Sequence, residues 1–163
     1  MGKSMDILEH PFEPVIYKDT HTLILGSFPS IKSFENNFYY AHPRNQFWKI
    51  LEGVTGYPTH NRDQKLWLLK EAGLGLWDMI LECRRENSLD SSLESEEVND
   101  IASFLAQHPS IKKIAFTGKK AEALYHIHFD YLEIETCYLP SPSSAYAKMK
   151  IEEKTKIYTE RLL

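Results

Sequence analysis

The sequence predicts an α/β fold: a three-layer α/β/α sandwich around a four-stranded, largely parallel central sheet, with residues 1–163 forming one domain. Two observations carry that expectation. Short apolar runs alternate along the chain with stretches whose apolar residues recur at helical spacing, the pattern of βαβ units and of a sheet covered on both faces. At 163 residues, 42% hydrophobic and 26% charged, the chain has the size of one ordinary domain and can bury a core without staples. No internal repeat or linker composition divides it.

The elements follow in order. Pro11 and Pro14 block a helix in the first twenty residues, so an extended lead-in with a short edge strand at 15–17 is expected. Thr22–Gly26 reads as the first core strand. A long loop follows from Ser27 to His42. Pro43 then suits the first position of a helix that ends at Gly53, which would put Asn45 in its first turn facing the loop. A second helix covers 61–72 and stops at Gly73, and GLWDMIL (75–81) reads as a strand. Residues 86–100 are acidic and aperiodic, suited to the N-terminal side of a helix that starts near Ile101 and ends at His108-Pro109. IKKIAFT (111–117) is a strand, 118–126 a short helix, and 132–138 an alternating strand. Ser143 or Ser144 can cap the last helix after LPSPSSAY.

Composition narrows the function classes. No apolar run approaches the roughly 18 residues of a membrane span, and MGKSMDILEHPFEP carries acidic residues where a secretory leader needs an apolar segment. Asp6 stands where a myristoylation signal wants Ser or Thr. A cytoplasmic monomer without membrane attachment is expected. Cys83 and Cys137 lie far apart in no ligand spacing, which suits two buried thiols in a reducing compartment and gives no reason to expect a metal or a cofactor. A net charge of −4 and a pI near 6.0 mean that a nucleic-acid binder would need a local basic patch on an acidic body.

The central loop is the stretch to explain. Loops longer than about 12 residues are uncommon in compact domains and usually functional, and this one sets Phe28, Phe34, Phe38, Tyr39 and Tyr40 beside Asn36, Asn37, His42, Arg44 and Asn45. In open α/β sheets, ligands bind beyond the carboxyl ends of the strands. The loops after Gly26, at Asp78 and at 139–144 all fall at such ends and should converge on one cleft.

These residues carry a resemblance. GSFPS followed by YYAHPRNQFW resembles the first motif of the uracil-DNA glycosylase superfamily, and LPSPSSAY resembles its second, the Ser-Pro loop. The hypoxanthine (deoxyinosine) branch is the nearest in pattern, through GLWD, the stretch from Cys83-Arg84-Arg85 to Ser88-Leu89-Asp90, and IKKIAFTGKKAE. The resemblance spans residues 20–150 or so. It implies a monofunctional enzyme that acts on DNA, hydrolyses the N-glycosidic bond of a deaminated base and leaves an abasic site, with no cofactor. Relatives directed at uracil or mismatches keep Asp or Asn before the first-motif Pro, and this chain has Phe28 there. HPSPLSA-type relatives keep a His and a wedging Leu where Leu139 and Ser143 stand. The resemblance therefore implies that Asn45 positions the attacking water, with His42 as the next candidate.

Such chemistry needs a base extruded from the stack and held on aromatic faces. Phe28 and one of Tyr39 or Tyr40 are the candidates, with Ser27 at the strand end. Ser141, Ser143 and Ser144 could grip phosphate, and Lys119, Lys120, Lys148 and Lys150 could supply positive charge. Asn45 also fits a purely local task, an amide bonding the loop backbone. Three other functions stay open: a uracil or mismatch glycosylase, a non-catalytic module binding damaged DNA, and a flavodoxin-type nucleotide binder. The last lacks any Gly-rich phosphate loop.

Overall fold

The structure, a computed structural model, describes residues 8–10, 12–29, 31–84, 94–146 and 148–163. Strand β1 (Leu8–Glu9) precedes β2 (Thr22–Gly26), whose five residues are all buried, as befits a strand covered on both faces. Helix α1 (Ile31–Asn36) lies inside the long loop, and α2 (Phe47–Thr55) follows it. Helix α3 (Arg62–Ala72) is capped by Asn61, whose side chain accepts from the Gln64 N–H, and is stopped by Gly73 in the left-handed region at φ +71°. Strands β3 (Leu74–Asp78), β4 (Ile80–Arg84) and β5 (Glu94–Val98) come next. Helix α4 (Ile101–Gln107), β6 (Lys113–Thr117), α5 (Lys119–Phe129), β7 (Glu135–Leu139) and α6 (Ile151–Leu162) complete the chain.

Four strands form the central sheet in the order β3-β2-β6-β7, and every neighbouring pair is parallel. Side-chain alternation along β2 sends Leu23 and Leu25 to one face and Ile24 to the other. Leu23 and Leu25 pack with residues of α4 and α5, including Phe104, Leu124 and Phe129. Ile24 packs with residues of α2, α3 and α6, including Phe47, Leu69 and Tyr158. The three-layer sandwich with a four-stranded parallel sheet is thus the observed architecture.

Several boundaries differ from expectation, each for a local reason. The edge strand at 15–17 reduces to one antiparallel bridge between Val15 and Leu76. Helix α2 starts at Phe47 rather than Pro43, because residues 42–45 close a turn in which the Asn45 N–H donates to the His42 carbonyl at 2.9 Å. Pro43, with its fixed φ, serves as the second residue of that turn. Gly53 lies within α2, where a Cβ would stand 2.7 Å from Thr155 Cγ2 of α6, so this glycine permits close helix packing. The helix stops instead at Gly56, at φ +77°.

The apolar run 75–81 divides at Met79. Its second half leaves the main sheet to form β4, which pairs antiparallel with β1 and β5 in a separate three-stranded sheet. Strand β5 occupies part of the acidic stretch read as a helix approach. Its charged sequence, ESEEV, suits the edge of a sheet, where charge discourages further pairing. Residues 85–93, including Ser88-Leu89-Asp90, lie outside the described set.

The expected cap of the last helix by Ser143 or Ser144 is also corrected. Helix α6 begins at Ile151, and Lys150, at its N-cap, makes no side-chain cap bond. The helix nevertheless governs the Ser-Pro loop, because the buried Tyr158 hydroxyl donates to the Pro140 carbonyl at 2.6 Å. Tyr158→Phe strands that carbonyl and should lower the unfolding free energy by about 1–3 kcal/mol. Urea denaturation measures this, and unchanged stability would show that the loop does not depend on the bond.

Candidate active site at the carboxyl edge of the sheet

Parallel strands end together, so Gly26, Asp78, Thr117 and Leu139 lie along one edge. Gly26 is the low point. A Cβ there would stand 2.5 Å from Asp78 Oδ1, 3.0 Å from the Tyr40 hydroxyl and 3.3 Å from Thr117 Oγ1. Only a residue without a side chain lets these three polar groups converge.

Each is held by a partner. Asp78 Oδ2 lies 2.8 Å from His10 Nε2, a pair almost wholly buried, and the Asp78 carbonyl accepts from Asn99 Nδ2 at 2.9 Å. Tyr40 shares a hydrogen bond of 2.9 Å with Thr117 and stacks on Phe47 with ring centroids 3.8 Å apart at 15°. Its backbone φ of +52° costs a bulky residue about 1–3 kcal/mol. The stack and the hydrogen bond hold the strained conformation. His10 and Thr117 were not singled out from the sequence. An isolated His in a polar lead-in gives no signal, and a Thr closing a strand is common.

The aromatic candidates divide. Tyr39 is 3% exposed. Its hydroxyl donates to the Glu13 carbonyl, and burial, then the nearby Asp78 charge, push its pKa far up. It belongs to the core beneath the site, and Tyr40 is the tyrosine at the strand ends. Ser27 and Phe28 continue directly from β2 and are both buried, with the Phe28 ring edge-on to His10 at 5.9 Å. Met79 and Ile80 donate to the carbonyls of Gly26 and Ser27, which pins the start of the loop to the β3–β4 junction.

Asn45 lies just before α2. Its Oδ1 accepts from the Phe47 N–H at 2.9 Å, so the local task open to it from the sequence is real. That bond also identifies the oxygen end of the amide and uses one of its two lone pairs, leaving the other to accept from water. His42 Nδ1 accepts from the Arg44 N–H at 3.0 Å, which makes Nε2 the protonated nitrogen of a neutral ring.

The Ser-Pro loop joins this assembly through Gln46, whose N–H donates to the Pro142 carbonyl at 2.9 Å. Ser141 Oγ accepts from the Ser143 N–H, and Ser143 Oγ from the Ala145 N–H, so these two hydroxyls shape turns. These serines do not open a helix, since α6 starts at Ile151. Ser144 is exposed. Lys119 and Lys120 open α5 directly after Gly118, whose added Cβ would lie 3.9 Å from Ser141 Cβ, so both lysines flank the same loop. Two hollows lie elsewhere, one of about 500 Å³ around His21 and Gly73 at the opposite end of the sheet, the other of about 440 Å³ beside Trp67. Among the described residues no cluster of three or more His, Cys, Asp or Glu could hold a metal, and no helix is long and apolar enough to cross a membrane.

This local bond sets a stability test. Asn45→Ala should remain folded and lose about 1 kcal/mol, the usual net value of one intramolecular hydrogen bond, while Asn45→Asp, which keeps the acceptor, should lose less. Chemical denaturation of the two variants checks the order, and an unfolded Asn45→Ala would make the residue chiefly structural.

Comparison with known proteins agrees with this geometry. A hypoxanthine DNA glycosylase of Methanosarcina acetivorans is 35% identical over 141 residues, covering 85% of this chain and 89% of the relative. One of Methanosarcina barkeri is 37% identical over 112 residues, covering 68% and 71%. The solution NMR structure of a candidate uracil DNA glycosylase from Methanosarcina acetivorans superposes with a TM-score of 0.80 at 32% identity, covering 95% of this chain and 98% of that one. The model of the uracil DNA glycosylase superfamily matches residues 14–162, and the chain belongs to that superfamily.

Proposed function

We propose that this protein is a monofunctional DNA glycosylase that hydrolyses the N-glycosidic bond of a deaminated base, hypoxanthine foremost, and leaves an abasic site. The observation that carries the reading is the convergence of Asp78, Tyr40 and Thr117 over Gly26, beside a loop that presents Asn45. The names of the relatives at 35% and 37% identity support the choice of base.

The chemistry follows from the groups present. Breaking the bond develops positive charge on the sugar and negative charge on the departing base. A dissociative reaction of that kind needs its water oriented more than activated, and the free lone pair of Asn45 Oδ1 can accept one water hydrogen. Hypoxanthine carries N1–H where adenine has only a lone pair, so an acceptor such as Asp78 Oδ1 distinguishes the two. Phe28 and Tyr40 supply aromatic surface for the extruded base, at about 1–3 kcal/mol per stacked base, against a few kcal/mol for leaving the duplex. His42 Nε2–H is a further donor for charge on the leaving group. Ser141, Ser143 and Ser144 line the side where the DNA backbone passes, with Lys119 and Lys120 as the local basic patch that an acidic protein needs. The reading takes residues 1–163 as one glycosylase domain, acting as a cytoplasmic monomer.

Asn45→Ala should lower the single-turnover rate on deoxyinosine DNA by roughly 10²–10⁴, the range of a positioned proton-transfer group, with little change in DNA affinity. Phe28→Ala should weaken both lesion binding and rate. A panel of duplexes bearing deoxyinosine, deoxyuridine, deoxyxanthosine or no lesion measures both variants and the parent. Faster cleavage of deoxyuridine would move the assignment to uracil, binding without cleavage would make the protein a lesion-binding module, and near-full activity in Asn45→Ala would transfer water positioning to His42.

A further inference from the structure

Lys154 is fully buried, yet no carboxylate is paired with it among the described residues. Its Nζ donates to Gln46 Oε1 at 2.9 Å and to the Ser143 carbonyl at 3.3 Å, and it lies 5.4 Å from the Tyr146 ring centroid. The neighbouring acidic residues of α6, Glu152 and Glu153, are both exposed in the first turn of the helix and form no ion pair with it. A lysine with only neutral partners is an expensive way to hold two loops together, because burial penalises its charge and a neutral donor would make the same bonds. Burial accordingly lowers its pKa.

Its position gives the charge a use. Gln46 adjoins Asn45, and Ser143 belongs to the Ser-Pro loop. The same two loops are already joined by the Gln46 N–H to Pro142 carbonyl bond. Lys154 thus closes a ring from the segment that would hold the water to the segment that would meet the phosphate.

We propose that Lys154 is a positioning residue: its ammonium fixes the Asn45 segment against the Ser-Pro loop, and a DNA phosphate seated on that loop supplies its missing counter-charge. The proposal rests on the glycosylase reading. It explains why an acidic protein keeps an uncompensated cation under this loop, and it adds to the surface lysines a charge that is fixed in place before DNA arrives.

The test uses the full chain and a duplex with one deoxyinosine. Lys154→Met keeps the aliphatic stem and removes the charge. It should fold with a thermal midpoint near that of the parent, lower the slope of log Kd against log salt by about one, and reduce the single-turnover rate by about tenfold or more. A folded Lys154→Met with the parent's salt slope or the parent's rate overturns the proposal. Should that variant fail to fold, Gln46→Leu decides: removal of the neutral acceptor should leave the salt slope unchanged and still slow cleavage, and an unaltered rate would refute the coupling. A parent protein that binds DNA but cleaves no lesion would defeat the glycosylase reading, while the salt slope would still decide whether Lys154 faces phosphate.

Discussion

Three side chains from different parts of the chain meet above Gly26, where a methyl group would come within 2.5 Å of Asp78 Oδ1. They converge because the position has no side chain and because the parallel register ends Gly26 level with Asp78. Asp78 is fixed by His10, and Tyr40 by its stack on Phe47 and its bond to Thr117. A site built from buried polar groups must satisfy them before a ligand arrives, and here each has a partner that also sets its direction. Such pre-set polar groups lose little on meeting a ligand, which is how a fixed site favours one charge distribution over another.

The second requirement is a fixed distance between the loop after β2 and the loop after β7. One hydrogen bond donated by Gln46 and three donated from α6 provide it: Gln46 to Pro142, Lys154 to Gln46 and Ser143, and Tyr158 to Pro140. Helix α6 follows the Ser-Pro loop in sequence, packs closely on α2 through Gly53, and so ties both loops to the core. Near-attack geometry tolerates little slack, and a loop pair held only by solvent-exposed bonds would not hold it. The N-terminal lead-in contributes from the other side, with His10 and the Glu13 carbonyl buttressing Asp78 and Tyr39.

Much of this was legible in the sequence. Thr22–Gly26, the third helix with its Asn61 and Gly73 ends, and the alternation of strands and helices follow from apolar runs and end residues, which are local signals. What failed was equally physical. Pro43 fits a turn as well as a helix start, and only the His42 to Asn45 bond decides between them. Gly53 looks like a helix stop because its reason, the closeness of Thr155, lies a hundred residues away. Strand β5 is mostly charged and has no apolar period to read. Among the candidate site residues, Ser27, Phe28, Asn45 and Ser141 stand in motifs that the sequence shows. His10, Thr117, Gln46 and Lys154 act through long-range bonds and carry no pattern of their own.

The central claim is that the strand ends around Gly26 receive an extruded, deaminated base while the Ser-Pro loop meets the backbone. Titrating ¹⁵N-labelled protein with a duplex bearing one deoxyinosine, and with the same duplex undamaged, reads this directly by amide chemical shifts. The account requires both duplexes to shift Ser141, Ser143 and Ser144, and only the deoxyinosine duplex to shift Gly26, Ser27, Asp78 and Thr117. Shifts centred instead on His21 and Gly73, or identical changes with the two duplexes, would contradict it.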